Sequence, residues 1–196
     1  MWSLSLDWII LAVLVFWAVG AYNRVMRLRA ACVQAFGALD LYFMQTQMLL
    51  NEWNAAQTWP AGPAAGAHTL AHAAWQQSLG AMGAALAGAR ARPLDAQAMQ
   101  GLERAHDAQA VAWQALKDLP GAPEEDAASP LPAWRQRWQQ QQAQLGLATD
   151  QFNAAVAQYN AAIAQFPARV LAWFFAFRPA RALQSAPGPQ LPDSAA

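Results

Sequence analysis

Apolar residues fill the first stretch of the chain almost without interruption, which predicts a membrane-spanning helix. Residues 8–22, WIILAVLVFWAVGAY, contain no charged side chain. With the flanking positions the run reaches about 19 residues, or roughly 28 Å of helix, which is enough to cross a bilayer. Trp8 lies at one end and Trp17 and Tyr22 toward the other, as interfacial anchors do. We therefore assign residues 1–22 to a transmembrane anchor.

The charges that flank this run predict its orientation. Arg24, Arg27 and Arg29 follow it, whereas the short leading tail holds no Lys or Arg. Because positively charged flanks stay in the cytoplasm, we expect the N-terminus outside and the rest of the chain in the cytoplasm. A cleaved signal peptide is the competing interpretation, since Gly20 and Ala21 are small, but such peptides begin with a basic region that this chain lacks.

Behind the anchor, apolar positions recur at helical spacing in four segments that are separated by Pro- and Gly-rich turns. The first segment follows the anchor without a helix breaker, and Asp95 is the expected N-cap of the third. The predicted helices cover about 23–58, 67–89, 95–118 and 132–166. Sequential helices of this kind predict an all-α fold, a long antiparallel up-and-down four-helix bundle over residues 23–167 that continues the transmembrane helix.

The fourth segment carries the most regular pattern in the chain. Five apolar side chains recur every seven residues: Trp138, Leu145, Phe152, Tyr159 and Phe166. A strict seven-residue repeat keeps one seam against a partner helix, as in a coiled coil. The same repeat places Asn153 and Asn160 one heptad apart beside the seam. We expect both to fix the register of the bundle by hydrogen bonding to the first helix near Tyr22, Asn23 or Asp40; contact with a ligand or partner is the alternative.

An aromatic segment follows the proline that ends this repeat. Since four alternating helices return the chain to its starting level, we expect the break at Pro167 to lie near the bilayer. Residues 168–184 then hold a membrane-proximal group: Trp173, Phe174, Phe175, Phe177 and Arg178. We expect this segment to lie at the membrane surface with its arginines directed to lipid phosphates. The alternative is a cap folded back on the bundle, and residues 185–196 read as a disordered tail.

Composition and charge narrow the possible functions. Helix-forming residues are abundant and β-branched residues are few, which agrees with an all-α fold. The formal net charge is zero, so no overall basic field argues for a nucleic-acid partner. The one cysteine, Cys32, excludes an internal disulfide and fits a small buried residue better than a reactive thiol.

Catalytic and metal-binding motifs do not emerge from the sequence. It contains no G-x-S-x-G, no phosphate-cradling Gly-rich loop, no H-E-x-x-H and no C-x-x-C. His68 and His72 are spaced as half of a zinc site, but a third ligand is required. His106 should lie far from them, because the start of the second helix faces the end of the third in such a bundle. We therefore predict no enzymatic activity, no cofactor and no metal site.

Two blocks of sequence share a specific set of asparagine, aromatic and proline positions. The first, residues 21–40, holds Tyr22-Asn23, Leu28-Arg29, Phe36 and Leu39-Asp40; the second, residues 152–179, holds Phe152-Asn153, Val156, Tyr159-Asn160, Phe166-Pro167 and Phe177-Arg178-Pro179. Together they resemble the LemA family of bacterial membrane-anchored proteins. The resemblance implies a bromodomain-like four-helix bundle on a membrane helix and no particular activity. The stretch LYFMQTQMLLNEW after Asp40, and Thr69 after His68, depart from the family pattern.

The sequence thus favours a non-catalytic, single-pass protein of the bacterial inner membrane whose cytoplasmic bundle is a scaffold or protein-interaction module. Its expected partners are the lipid bilayer and another membrane protein, and not nucleic acid. The alternative is a small-molecule or lipid-binding sensor with a pocket at the membrane-proximal end, lined by Phe166, Trp173 and Phe174. A closed core with an apolar surface outside it favours the scaffold, and a cavity at the Phe166 end favours the sensor.

Overall fold

Five α-helices account for most of the chain in a computed structural model that describes residues 2–56, 65–118 and 131–184. They are α1 (Trp2–Ala56), α2 (Ala65–Ala91), α3 (Ala96–Lys117), α4 (Leu131–Ala164) and α5 (Ala168–Phe174). These three ranges contain no strand, which confirms the all-α prediction. The predicted tail, residues 185–196, and the loops around Pro60 and Pro120 lie outside the described residues.

Helix α1 runs unbroken for 55 residues, so the apolar run and the first helix of the body are one element. The large apolar side chains from Trp8 to Val19 are exposed, whereas from Val25 onward one side of α1 is buried. Of the described helices, α1 is the one that is long and apolar enough to cross a membrane. Gly20 does not break it, because a glycine inside a helix costs only about 1 kcal/mol relative to alanine.

Helices α1 and α4 form one close, antiparallel pair. Near the start of α4, the indole N–H of Trp134 donates to the carbonyl oxygen of Leu49 at 3.4 Å. Farther along α4, the Phe152 ring meets the Phe36 ring edge-on, with centroids 5.9 Å apart. Residues later in α4 thus contact residues earlier in α1. The two helices are antiparallel, as the sequence predicts.

Helices α2 and α3 form the second close pair, which lies against the first. Arg90 near the end of α2 binds Asp40 of α1, and the side-chain amides of Gln109 on α3 and Gln47 on α1 exchange two hydrogen bonds of 3.0 and 3.2 Å. Asp95 caps α3 as predicted, since its carboxylate accepts the N–H groups of Gln97 and Ala98. These backbone hydrogen bonds lower the pKa of Asp95.

The core of the body divides into two clusters. The cluster nearer the apolar run includes Val25, Cys32, Leu39, Phe152 and Val156. The far cluster brings together five tryptophans of four helices, Trp53, Trp75, Trp113, Trp134 and Trp138. Burial raises the pKa of the Cys32 thiol, which agrees with the predicted apolar role of this residue.

The seven-residue seam of α4 is buried at four of its five positions, Trp138, Leu145, Phe152 and Tyr159. The fifth, Phe166, is 74% exposed. The seam prediction is wrong at this position because α4 ends at Ala164, two residues earlier, and the chain leaves the helical path. Phe166 is therefore free to contact α1 at the level of the apolar run instead of the core.

Candidate functional site

The end of α4 lies against the apolar run of α1. The Phe166 ring packs on Trp17 with a centroid separation of 5.1 Å. Beyond α5, the rings of Phe175 and Phe177 contact Tyr22, with centroids 5.2 and 6.2 Å away. The break at Pro167 thus occurs beside the apolar run, at the place where the parity of the helices predicts it.

Helix α5 presents its large side chains outward. Its alanines Ala168 and Ala172 are four residues apart on one face and are buried against the body. The outward group, which we call the α5 surface, consists of Phe166, Val170, Trp173, Phe174 and Phe175 and is 49–84% exposed. Leaving five such side chains in water would lose hydrophobic stabilisation on the order of 10 kcal/mol. Exposed large apolar side chains grouped in this way are typical of interaction sites.

Residues 177–184, which we call the strap, run back along α4 without helix or strand and are held by the two repeated asparagines. Asn160 donates its Nδ2–H to the carbonyl of Ala180 at 2.8 Å and accepts the Ala180 N–H at 2.9 Å. Asn153 makes the same pair with Leu183, at 2.9 and 2.8 Å. The partners on helix one that the sequence suggested for these asparagines are therefore wrong.

The spacing of the asparagines matches the spacing of the strap. Asn153 and Asn160 are seven residues apart on α4, or about 10.5 Å at the rise of an α-helix. Ala180 and Leu183 are three residues apart, or about 10 Å in extended chain. Since each asparagine bonds both main-chain groups of one strap residue, a heptad of α4 corresponds to a triplet of the strap.

Helix α3 holds the other side of the strap. The Glu103 carboxylate receives the Arg181 guanidinium at 2.8 Å and the Gln184 backbone N–H at 2.9 Å. From α4, the Tyr159 hydroxyl donates to the Arg178 carbonyl at 3.1 Å, and burial raises the pKa of this tyrosine. The strap thus bridges α3 and α4, as the alternative of a folded-back cap suggested, while the α5 surface points away from the body.

The remaining predicted residues fall in different surroundings. Asp40 binds Arg90 of α2, whose Nε lies 2.8 Å from both carboxylate oxygens, and not the asparagines of α4. Asn23 and Arg178 are exposed. Phe177 is half-buried against Tyr22 and so does not join the outward α5 surface, because the chain has already turned into the strap.

A groove of about 290 Å³ opens between α1 and the α4–α5 junction. Its lining includes Phe16, Trp17, Gly20, Arg24 and Phe166. The groove lies beside the apolar run, at the end of the bundle where the sequence predicts the pocket of a sensor. Of the three side chains expected to line such a pocket, Phe166 does so, whereas Trp173 and Phe174 lie outside the groove and are exposed.

A second cavity of about 170 Å³ lies under the strap, between α3 and α4. It is lined in part by Glu103, His106, Gln142 and Leu183. Burial lowers the pKa of His106, whose ring lies edge-on to Phe43 with centroids 6.1 Å apart. The neutral imidazole is therefore the favoured form at this place in the fold.

The histidines do not meet. His72 Nε2 lies 3.0 Å from the side-chain oxygen of Asn54, His68 is buried near the start of α2, and His106 lies on α3. Within residues 2–56, 65–118 and 131–184, no three His, Cys, Asp or Glu residues are close enough to hold a metal ion. Comparison with protein-family models, with curated proteins and with solved structures gives no match for the chain.

Proposed function

We propose that the protein is a single-pass, membrane-anchored scaffold without catalytic activity, and that its body is an up-and-down four-helix bundle in the cytoplasm of a bacterium. The unbroken α1 supports the anchoring, because a body that continues the spanning helix is held at a fixed height above the bilayer. Arg24, Arg27 and Arg29, directly after the apolar run, support the cytoplasmic side.

The observation that carries the interaction role is an apolar stripe on the outside of α1. Seven exposed residues without a polar group recur at intervals of three and four, at Met26, Ala30, Val33, Gly37, Leu41, Met44 and Met48. This spacing puts them on one side of the helix, and the core uses other positions such as Phe36 and Phe43. A stripe of this kind, on the side of α1 turned away from the core, fits the apolar face of a partner helix.

The arginines beside this stripe define the partner further. Arg27 and Arg29 flank its membrane-proximal end on either side and are both exposed. Two copies of α1 packed in parallel through the stripe would bring these like charges together, whereas acidic flanks on a partner helix would complement them. We therefore expect a different membrane protein as the partner rather than a second copy of the chain.

A photo-crosslinking amino acid placed in the stripe tests this function in the living cell. At Leu41 and at Met48 we expect a crosslinked product with a second protein, which disappears when Met44→Glu introduces a charge between them. Val111 on α3 is an equally apolar and exposed control outside the stripe and should give no such product. Absence of a product at both stripe positions would contradict the scaffold.

A lipid- or small-molecule sensor is the second candidate, and the groove of about 290 Å³ beside Trp17 and Phe166 favours it. Gly20 lines this groove, and a Cβ there would meet no atom within 4 Å, so Gly20→Leu can fill the space without disturbing the helix. For a sensor, native mass spectrometry of the purified protein should show a bound small molecule that Gly20→Leu displaces. A protein that carries no such molecule contradicts the sensor.

We also propose that the chain is a divergent relative of the LemA family. The two blocks that carry the resemblance contact each other in space. Tyr22 of the first meets Phe177 of the second, and Phe36 meets Phe152. Shared motifs that pack together are what a common fold would conserve. A crystal structure of the body that superimposes on a LemA protein over all four helices would test the relation, and a different helix order would contradict it.

A further inference from the structure

We propose that the α5 surface and the arginines around it form a second membrane contact, an in-plane site for anionic phospholipids beside the spanning helix. This inference rests on the membrane anchoring proposed above and adds to it a defined lipid class. The surface is the group defined earlier, Phe166, Val170, Trp173, Phe174 and Phe175.

The height of α5 along α1 is that of a bilayer interface. Phe166 contacts Trp17 and Phe175 contacts Tyr22, five residues or about 7.5 Å of helix farther along α1. The apolar run ends at Tyr22, and the first charge behind it is Arg24. The α5 surface therefore lies at the level where hydrocarbon gives way to headgroups, which aromatic side chains prefer.

Arginines outnumber acidic side chains at this level. Helix α3 and its N-cap supply two acidic groups, Asp95, which interacts with Arg178, and Glu103, which binds Arg181. The ranges 8–39 and 151–184 contain no Asp or Glu and six arginines, Arg24, Arg27, Arg29, Arg169, Arg178 and Arg181. Arg181 is bound to Glu103, and the other five are exposed. Arginines next to outward aromatic rings are typical of helices that lie in the surface of anionic membranes.

The strap keeps α5 in this position. Ala180 and Leu183, held by the α4 asparagines, follow α5 within a few residues, so the short helix is tied to the body at both of its ends. Ala168 and Ala172 fix which side of α5 faces the body. The outward side is thus defined before any lipid binds, which lowers the entropy cost of binding.

Depth measurements on the full chain in lipid nanodiscs test the proposal. With Cys32→Ala as background, a nitroxide is attached at Trp173→Cys, and its collision rates with oxygen and with a water-soluble nickel chelate are compared. Val15→Cys reports the spanning helix and Val111→Cys reports water. We expect the label at residue 173 to collide with oxygen and be protected from nickel, as at residue 15 and unlike residue 111.

The same measurement separates the possible failures. If the label at residue 15 is open to nickel, the anchoring itself is wrong. If residue 15 is in lipid but residue 173 is open to nickel, only the in-plane contact is wrong. Protection of residue 173 from both reagents would mean that protein covers it, which also overturns the lipid contact.

Lipid selectivity is measured by native mass spectrometry of protein released from nanodiscs of phosphatidylcholine and phosphatidylglycerol. We expect phosphatidylglycerol to be retained several-fold over phosphatidylcholine, and the double variant Arg169→Gln/Arg178→Gln to lose most of this preference. Arg104→Gln/Arg137→Gln, two exposed arginines outside this end of the molecule, should keep it. Equal retention of both lipids by the unmodified chain would overturn the anionic site.

Discussion

Replacement of Asn160 by alanine should release the strap from α4. The change removes two hydrogen bonds, of 2.8 and 2.9 Å, and leaves the N–H and carbonyl of Ala180 without these partners. At about 1 kcal/mol for each hydrogen bond, the strap loses about 2 kcal/mol of stability relative to its open form. Because about 1.4 kcal/mol is a factor of ten, the open population rises about 30-fold.

Amide hydrogen exchange reads this opening directly, since local opening sets the exchange rate of a protected amide. In detergent-solubilised protein, Asn160→Ala should speed exchange of the Ala180 amide about 30-fold. Asn153→Ala should do the same for the Leu183 amide, because the Leu183 N–H donates to Asn153 Oδ1 at 2.8 Å in the unmodified chain. In the double variant the strap amides should approach the rate of unprotected chain.

The matched control is Gln158→Ala, which removes an exposed side-chain amide from the same helix. It should leave the exchange of both strap amides at the rate of the unmodified chain. The reasoning is refuted if Asn160→Ala and Gln158→Ala give the same rate at Ala180, because the asparagine clamp would then contribute nothing to the stability of the strap.

Three further predictions concern stability. Trp113→Ala in the centre of the tryptophan cluster should cost about 3–5 kcal/mol in denaturant unfolding, whereas Val111→Ala on the exposed face of the same helix should cost less than about 0.5 kcal/mol. Burial holds the pKa of His106 below its ordinary value, so protonation favours unfolding; melting temperatures should fall as the pH drops through and below the ordinary histidine range, and more steeply than in His106→Gln. Asp40→Asn should change the unfolding free energy by no more than about 1 kcal/mol, because the ion pair with Arg90 is partly exposed; a loss above about 2 kcal/mol would contradict this.

Periodicity predicted the buried positions and the helix directions because both follow from local spacing. Trp138, Leu145, Phe152 and Tyr159 are buried at seven-residue intervals, and α1 and α4 are antiparallel as expected. The same logic failed at Phe166, where the end of α4 at Ala164 takes the chain off the helical path. A helix end shifts every later position, and the pattern of apolar residues alone locates it only to within a few residues.

The strap was beyond sequence reasoning for a physical reason. Asn153 and Asn160 bind main-chain groups, which every residue carries. The side chains of residues 177–184 therefore need no particular pattern, and the sequence does not predict that this segment binds α4. The seven-residue spacing of the asparagines predicts a helix partner, because a heptad repeat normally faces another helix.

The sequence predicts an apolar surface around Trp173, and the fold determines which side chains belong to it. The density of large apolar side chains around Trp173 indicates a surface that must be covered, and the structure leaves Trp173 84% and Phe174 73% exposed. Phe177 differs because it follows the turn at Ala176, whose φ of 53° redirects the chain toward the strap. Sequence density shows that a surface exists, and only the fold shows which of its members face outward.

Cysteine accessibility in spheroplasts tests most directly whether α1 spans the inner membrane with the body inside. In a Cys32→Ala background, Val15→Cys should react with a membrane-impermeant maleimide only after detergent, and Val111→Cys should react as soon as the inner membrane is permeabilised, but not before. Labelling of residue 15 in intact membranes would show that α1 does not span the bilayer. Labelling of residue 111 in intact spheroplasts would place the body outside the cytoplasm.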